Sequence, residues 1–208
     1  MRGRIIIDLF TTLDGVAQAP GGRDEDTSDG FRFGGWQAPF PDDMVGAQVG
    51  AYIRSMDALL LGRRTYDIFA AYWPHHTDGA VGEIGRVFDR VPKYVASRSE
   101  MEPTWAGTTR IGGDTVREVD GLRDRHEEIH VVGSVGLVHT LLDSAAFDEL
   151  RMWVHPVVLG EGRQVFPAGA TPQTLRLIEP PKVGDHGVVQ VRYEPAGPVV
   201  TGDMDDGA

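Results

Sequence analysis

Apolar residues arrive in short dense runs along this chain, and most runs lead into a stretch where they recur every three or four positions. Residues 4–10 hold Ile5, Ile6, Ile7, Leu9 and Phe10 in a nearly unbroken run, as in a strand covered on both faces. Residues 58–61 repeat the pattern, turn at Gly62 and open a helical stretch reaching Tyr72. Residues 93–97, 129–132 and 150–155 read as further strands, with a weaker one at 108–111. Between them Val45, Val49, Tyr52, Ile53 and Met56 form one helical stripe opened by Pro41-Asp42-Asp43. Val81, Ile84, Val87, Phe88 and Val91 predict another helix, stopped by Pro92. Residues 114–128 predict a polar helix and 137–142 an apolar one.

Strands alternating with helices predict a three-layer α/β/α fold around a mostly parallel central sheet. The rhythm changes at the end, where 174–179 and 188–193 predict an antiparallel strand pair around Pro180-Pro181 and Gly184-Asp-His-Gly187. One domain is therefore expected over 1–195, and 196–208, with Asp203, Asp205 and Asp206, reads as a frayed acidic tail. Residues 16–41 break the pattern, mixing glycines and acids with Phe31, Phe33, Trp36 and Phe40. Long loops of this kind are often lids, and aromatic residues argue against plain disorder. We read a flap whose Trp36 and Phe40 pack over a ligand; the same rings would equally staple the loop to the core.

Composition narrows the partners. The chain has 208 residues, 20 basic against 31 acidic, a formal net charge of −11. Such a surface repels nucleic-acid backbones and anionic membranes, so neither is an expected partner. Cysteine is absent, which removes disulfides, thiolate nucleophiles and cysteine–zinc sites together. No apolar run approaches the length of a membrane span, and the N-terminal one is too short for a signal peptide. The expectation is a soluble cytoplasmic protein.

Three strand exits carry phosphate-friendly chemistry: Gly62-Arg-Arg-Thr65, Ser97-Arg98 and Gly133-Ser-Val-Gly136. In open α/β sheets ligands bind outside the carboxyl ends of the strands. Free N–H groups at a helix start favour an anion there, and guanidiniums add to it. The first stretch alone also makes an ordinary solvated helix start; three such exits in one sheet favour a ligand with several phosphates, such as a dinucleotide. No Gly-x-Gly-x-x-Gly follows a strand, and neither lysine, Lys93 or Lys182, ends a glycine-rich phosphate loop. The histidines form no His-Glu-x-x-His site, so no metal is expected, and His130 and His155 read as hydrogen-bonded core residues.

The joint order of Thr11-Thr-Leu-Asp-Gly15, Gly62-Arg-Arg-Thr-Tyr66, Pro92-Lys-Tyr-Val-Ala-Ser-Arg98, Val131-Val-Gly-Ser-Val-Gly136 and Pro156-Val-Val-Leu-Gly-Glu-Gly162 resembles the dihydrofolate reductase-like superfamily. Within it the pattern is most similar to the reductase domain of bacterial riboflavin biosynthesis and its stand-alone relatives. The resemblance implies NADPH as cofactor, a small heterocyclic or ribosyl-linked substrate and a homodimer. Carried over, Arg63 would hold the adenosine 2′-phosphate with Ser97 and Arg98 assisting. Arg64 and Thr65 would meet the pyrophosphate, as the first turn after Gly62 opens. Gly133, Ser134, Val135 and Gly136 would lie under the pyrophosphate and nicotinamide ribose, with Ser134 standing where the family often has a second glycine. Asp14 is the candidate for orienting or protonating substrate, its other role being a turn residue before Gly15. Glu161 would line the same cleft or face water. Folate reductases keep an acid in the helix after the flap, whereas here the acids are only Asp42 and Asp43 at its start. Alternatives to a riboflavin-type reductase are dihydrofolate reduction proper, a non-catalytic NADP-binding module, or a paralogue whose arginines bind another phosphate.

Overall fold

The computed structural model describes residues 2–204. The parallel strands are β1 (Arg4–Thr12), β2 (Ala58–Gly62), β3 (Lys93–Ala96), β4 (Thr108–Ile111), β5 (Glu128–Val131) and β6 (Glu149–His155). Antiparallel strands β7 (Thr174–Leu177), β8 (Lys182–Val183) and β9 (Val189–Gly197) finish the sheet. Spatial order is β4-β3-β2-β5-β1-β6-β9-β7, with β8 also on β9. Among the described residues five α-helices flank it: α1 (Asp43–Ser55), α2 (Arg63–Tyr72), α3 (Gly82–Arg90), α4 (Thr115–Leu122) and α5 (Val135–Asp143).

The two-residue period of the strands sorts the apolar residues into two cores. Ile5, Ile7, Leu9, Ala58 and Leu60 meet Val119 and Leu122 of α4 and Val138 and Leu141 of α5. Leu59, Leu61, Val95 and Trp153 meet Tyr52 and Ile53 of α1, Tyr66 of α2 and Phe88 of α3. The expected three-layer α/β/α architecture is present.

Three local expectations are corrected. The polar helix predicted over 114–128 ends at Leu122, because residues 123–127 turn the chain into β5. A short strand, β8, lies where the sequence predicts only a turn. Residues 196 and 197, expected to open a tail, belong to β9, in which Pro195 lies opposite Leu175 beside a register shift, and the Pro198 carbonyl accepts the Thr174 hydroxyl at 2.9 Å. A proline is tolerated at such a bulge because it has no N–H to contribute to the ladder. Asp205 and Asp206 lie outside the described residues.

Beneath α1 the sheet buries charge. Asp8 holds His130 Nδ1 at 2.6 Å and Arg151 at 3.0 Å, while Glu149 binds Arg151 at 2.8 Å and Arg192 at 2.6 Å. Tyr52 stacks on the His130 ring with centroids 5.5 Å apart. Burial alone would lower the His130 pKa, but the Asp8 carboxylate and Glu128 outweigh it and raise it to about 9. A raised folded-state pKa gives stability that is complete below the unfolded value near 6.5 and lost as pH climbs through about 9. We expect the urea-unfolding free energy of the wild type to fall, relative to His130→Gln, by up to about 3 kcal/mol between about pH 7 and about pH 10. Parallel pH profiles of the two proteins would show this pairing to be inert.

Candidate active site

Topology assembles the predicted exits. β3, β2, β5 and β1 are consecutive neighbours and parallel, so their carboxyl ends share one sheet edge. From β2 the chain enters α2 on one face, and from the adjacent β5 it enters α5 on the other. Neighbouring strands that depart to opposite faces open a crevice between them, the usual ligand position in such sheets.

The seam of this crevice is very tight. Gly62 N–H donates to the Gly133 carbonyl at 3.0 Å. A Cβ added at Gly62 would lie 2.0 Å from Ser134 Oγ and 3.0 Å from its Cβ and N, so only glycine fits. Gly133 has φ +128°, and a Cβ there would meet Thr65 Oγ1 at 2.8 Å. The Gly133–Ser134 peptide is cis.

Anion-binding groups surround the seam. Asp42 caps α1 and Asp114 caps α4, but neither α2 nor α5 has a side-chain cap. Their first-turn N–H groups, at Arg63, Arg64 and Thr65 and at Val135 and Gly136, are therefore left for a ligand or water. A Cβ at exposed Gly136 would meet nothing, so the approach to α5 is open. Arg63 is paired with Asp67 one turn on, at 2.8 Å. Ser97 is buried, donating its hydroxyl to the Ser99 carbonyl at 2.8 Å. Arg98 beside it is exposed, with no ion pair among the described residues.

The flap, residues 16–41, closes on its own small core of Val16, Ala19, Phe31 and Trp36. Trp36 Nε1 donates to the Gln18 carbonyl at 2.8 Å. The Trp36 and Phe40 rings both meet His155 edge-on, at 5.3 and 5.9 Å. The sequence predicts a hydrogen-bonded core histidine at His155, and half of that holds. Its Nδ1 lies 2.9 Å from the Trp153 carbonyl and 3.3 Å from that of Thr11, while the buried Nε2 has no hydrogen-bond partner among the described residues. Burial lowers its pKa, so the ring is neutral near pH 7.

Asp14 is placed on the β1 exit but its carboxylate is engaged. It accepts the N–H of Gly160 at 2.8 Å, the N–H of Leu159 at 3.2 Å and the Thr12 hydroxyl at 2.5 Å. Desolvation pushes this carboxyl up, but these bonds outweigh it and leave the pKa below the usual carboxylate value. At neutral pH Asp14 is an ionised clip between two strand exits. Glu161 pairs with Arg32 at 3.2 Å and lines a cavity of about 250 Å³ together with Gln18, Ser28, Phe31 and Arg163. Arg163 and Asp26 were not singled out from the sequence. Their pairing spans 137 positions, and no local pattern announces it.

The profile of the RibD C-terminal domain family matches residues 4–189. The chain belongs to the RibD C-terminal domain family. It is 28% identical over 192 residues to the uncharacterized protein YyaP of Bacillus subtilis (strain 168), covering 91% of this chain and 94% of YyaP. Its fold is similar to a putative riboflavin biosynthesis protein from Shewanella sp. PV-4, with TM-score 0.69, 20% identity and coverage of 93% and 99% of the two chains. It is also similar to dihydrofolate reductase from Enterococcus faecalis complexed with NADP(H), with TM-score 0.58, 13% identity and coverage of 94% and 98%. These likenesses show a dihydrofolate reductase-like fold.

The seam yields a direct test. Gly62→Ala should destabilise the protein by about 1–3 kcal/mol through overpacking. Ser134→Gly in the same chain, by removing the facing Oγ and Cβ, should restore part of that loss. Thermal unfolding of the single and double variants measures it, and strict additivity would mean that the two residues do not touch.

Proposed function

We propose that this family member is an NADPH-dependent reductase acting on a small heterocyclic or ribosyl-linked substrate held between the crevice and the flap. The observation that carries the reading is the pair of uncapped helix starts converging from opposite faces on one glycine seam, with arginines beside them. A dinucleotide phosphate suits this donor set: backbone N–H groups for a pyrophosphate, guanidiniums for a further phosphate, and open space over Gly136.

In this reading Arg63 turns from the half-exposed Asp67 pair to the 2′-phosphate, with Ser97 and Arg98 on the neighbouring exit. Solvent screens the Arg63–Asp67 pair, so little stability is lost when a dianion competes for the guanidinium. Arg64 and Thr65 receive the pyrophosphate at the α2 start, and Gly133, Ser134, Val135 and Gly136 bound its other side. NADPH, when bound, supplies the hydride. Asp14, ionised and holding Leu159 and Gly160, fixes the position of the loop after β6 against the β1 exit. Trp36 and Phe40 exclude water from that end.

Dihydrofolate is not the substrate we favour. Of the two acids at the start of the helix after the flap, Asp43 is exposed to solvent, and Asp42, the cap, spends its carboxylate on the N–H groups of Met44, Val45 and His186. Asp14 is ionised and occupied, so neither is poised to donate a proton. A homodimer in the cytoplasm is part of the same proposal, and the exposed Leu177, Ile178 and Val183 near the β7 edge offer apolar surface to a second copy.

Calorimetric titration with NADPH and NADH, repeated on Arg63→Ala, tests the cofactor. A dianionic 2′-phosphate on a guanidinium is worth about 1–3 kcal/mol, so NADPH should bind about tenfold or more tighter than NADH. Arg63→Ala should erase most of that difference. No NADPH binding by the wild type would defeat the reductase reading.

A further inference from the structure

Arg64 and Arg163 come from distant elements, the α2 start and the loop after β6, yet their guanidiniums converge on one flap carboxylate. Asp26 Oδ1 lies 3.3 Å from Arg64 and Asp26 Oδ2 lies 2.7 Å from Arg163. The Ser28 hydroxyl sits between them, accepting from Arg163 at 2.7 Å and from Arg64, and donating to Asp26. Arg163 also reaches Asp29 at 2.5 Å. Two guanidiniums and a hydroxyl around one anion make the donor set that recognises a phosphate group. The Asp26 carboxylate stands in for it with one charge and two oxygens, where a phosphate brings more of both.

The surroundings match a ligand position better than a plain loop staple. Arg64 belongs to the first turn of a helix whose N–H groups have no side-chain cap. Arg163, Ser28 and Gln18 line the cavity of about 250 Å³ under the flap. The Asp26 carboxylate is held by this cluster and its own turn, while its carbonyl separately accepts from Gln18 Nε2 at 3.2 Å. Burial would raise its carboxyl pKa, but Ser28, Arg163 and Arg64 hold it below the usual range, so the contact is ionic at neutral pH.

We propose that Arg64 and Arg163 form a two-guanidinium subsite for a phosphate group, which the Asp26 carboxylate fills when no ligand is bound and vacates when one arrives. The proposal deepens the reductase reading and rests on it for the identity of the crevice. The phosphate belongs either to the dinucleotide or to a phosphorylated substrate. In both cases flap release and ligand binding become one exchange of anions on the same arginines.

Calorimetric titration with two probes, NADPH and ribose 5-phosphate, separates the sources. Asp26→Asn keeps the shape of the side chain and removes the competing charge. It should tighten one or both probes by about 3- to 10-fold, with a steeper dependence on salt. Asp26→Ser should behave in the same way, and circular dichroism should show both variants folded. Adding Arg163→Ala to Asp26→Asn should abolish the gain. A gain confined to NADPH assigns the subsite to the dinucleotide, and one confined to ribose 5-phosphate assigns it to substrate. A gain that survives loss of Arg163 reflects a looser flap and overturns the proposal, as does no gain with either probe. Wild-type protein that binds NADPH while both Asp26 variants show no gain would sink the subsite and leave the reductase reading standing; absence of NADPH binding in every protein would sink that reading, and the ribose 5-phosphate arm would still decide the subsite.

Discussion

Gly62 and Gly133 lie at the ends of adjacent parallel strands, and their backbones approach until no side chain fits between them. A Cβ on Gly62 would penetrate Ser134, and one on Gly133 would meet Thr65. This contact fixes more than the local turn. β2 continues into α2 on one face and β5 into α5 on the other, so holding the two exits together brings two helix starts to one line. Each start leaves backbone N–H groups without a side-chain partner. The electropositive character of the crevice thus comes first from the backbone, and the arginines of α2 add to it.

An acidic flap balances that basic line. The chain is strongly acidic overall, and part of that charge, at Asp26 and Asp29, is folded directly onto Arg64 and Arg163. The flap has little regular structure of its own, a 3₁₀ turn at Ser28–Gly30 and a single bridge from Val16 to Gln164. Its position is set by a small apolar core and, around Asp26 and Ser28, by ion pairs and the hydrogen bonds of Gln18. The apolar core is insensitive to a competing anion. The ion pairs meet their partners at the crevice, where a phosphate would compete for them. A loop anchored in these two ways can release one anchor while the other keeps it in register.

Much of this was legible in the sequence because the fold is written in local periods. The run of leucines in β2, the helical stripe of α1 and the glycines at the β2 and β5 exits are all patterns of a few residues, and five motifs in order carried the family. The three exits also came together as expected, since parallel neighbours must end on the same side. What the sequence withheld is long-range pairing. Nothing near Asp26 marks it as the partner of Arg163, and nothing near Asp14 shows that its carboxylate will be taken by the backbone of Leu159 and Gly160. Lys93 is similar: nothing beside it in sequence shows that it is buried, donating to the carbonyls of Phe88, Asp89 and Val91 at the end of α3. Charge-bearing side chains find their partners through topology, and one-dimensional spacing carries little of that.

The two buried histidines show how differently the sheet treats its two halves. His130, under α1, has Asp8 on Nδ1 and Glu128 near Nε2, with a tyrosine stacked on its ring. Such a fully connected polar group specifies one register of β1, β5 and β6, because a slip would leave its charge unpaired. His155, at the end of β6, is as deeply buried, but only its Nδ1 is bonded. The fold therefore satisfies the histidine that determines its register and leaves unsatisfied the one beneath Trp36 and Phe40, at the edge where the strands end and the flap closes. Local violations of this kind are expected where a chain gives up stability for function. His155 thus stands at the end of β6 with the flap rings of Trp36 and Phe40 edge-on against it.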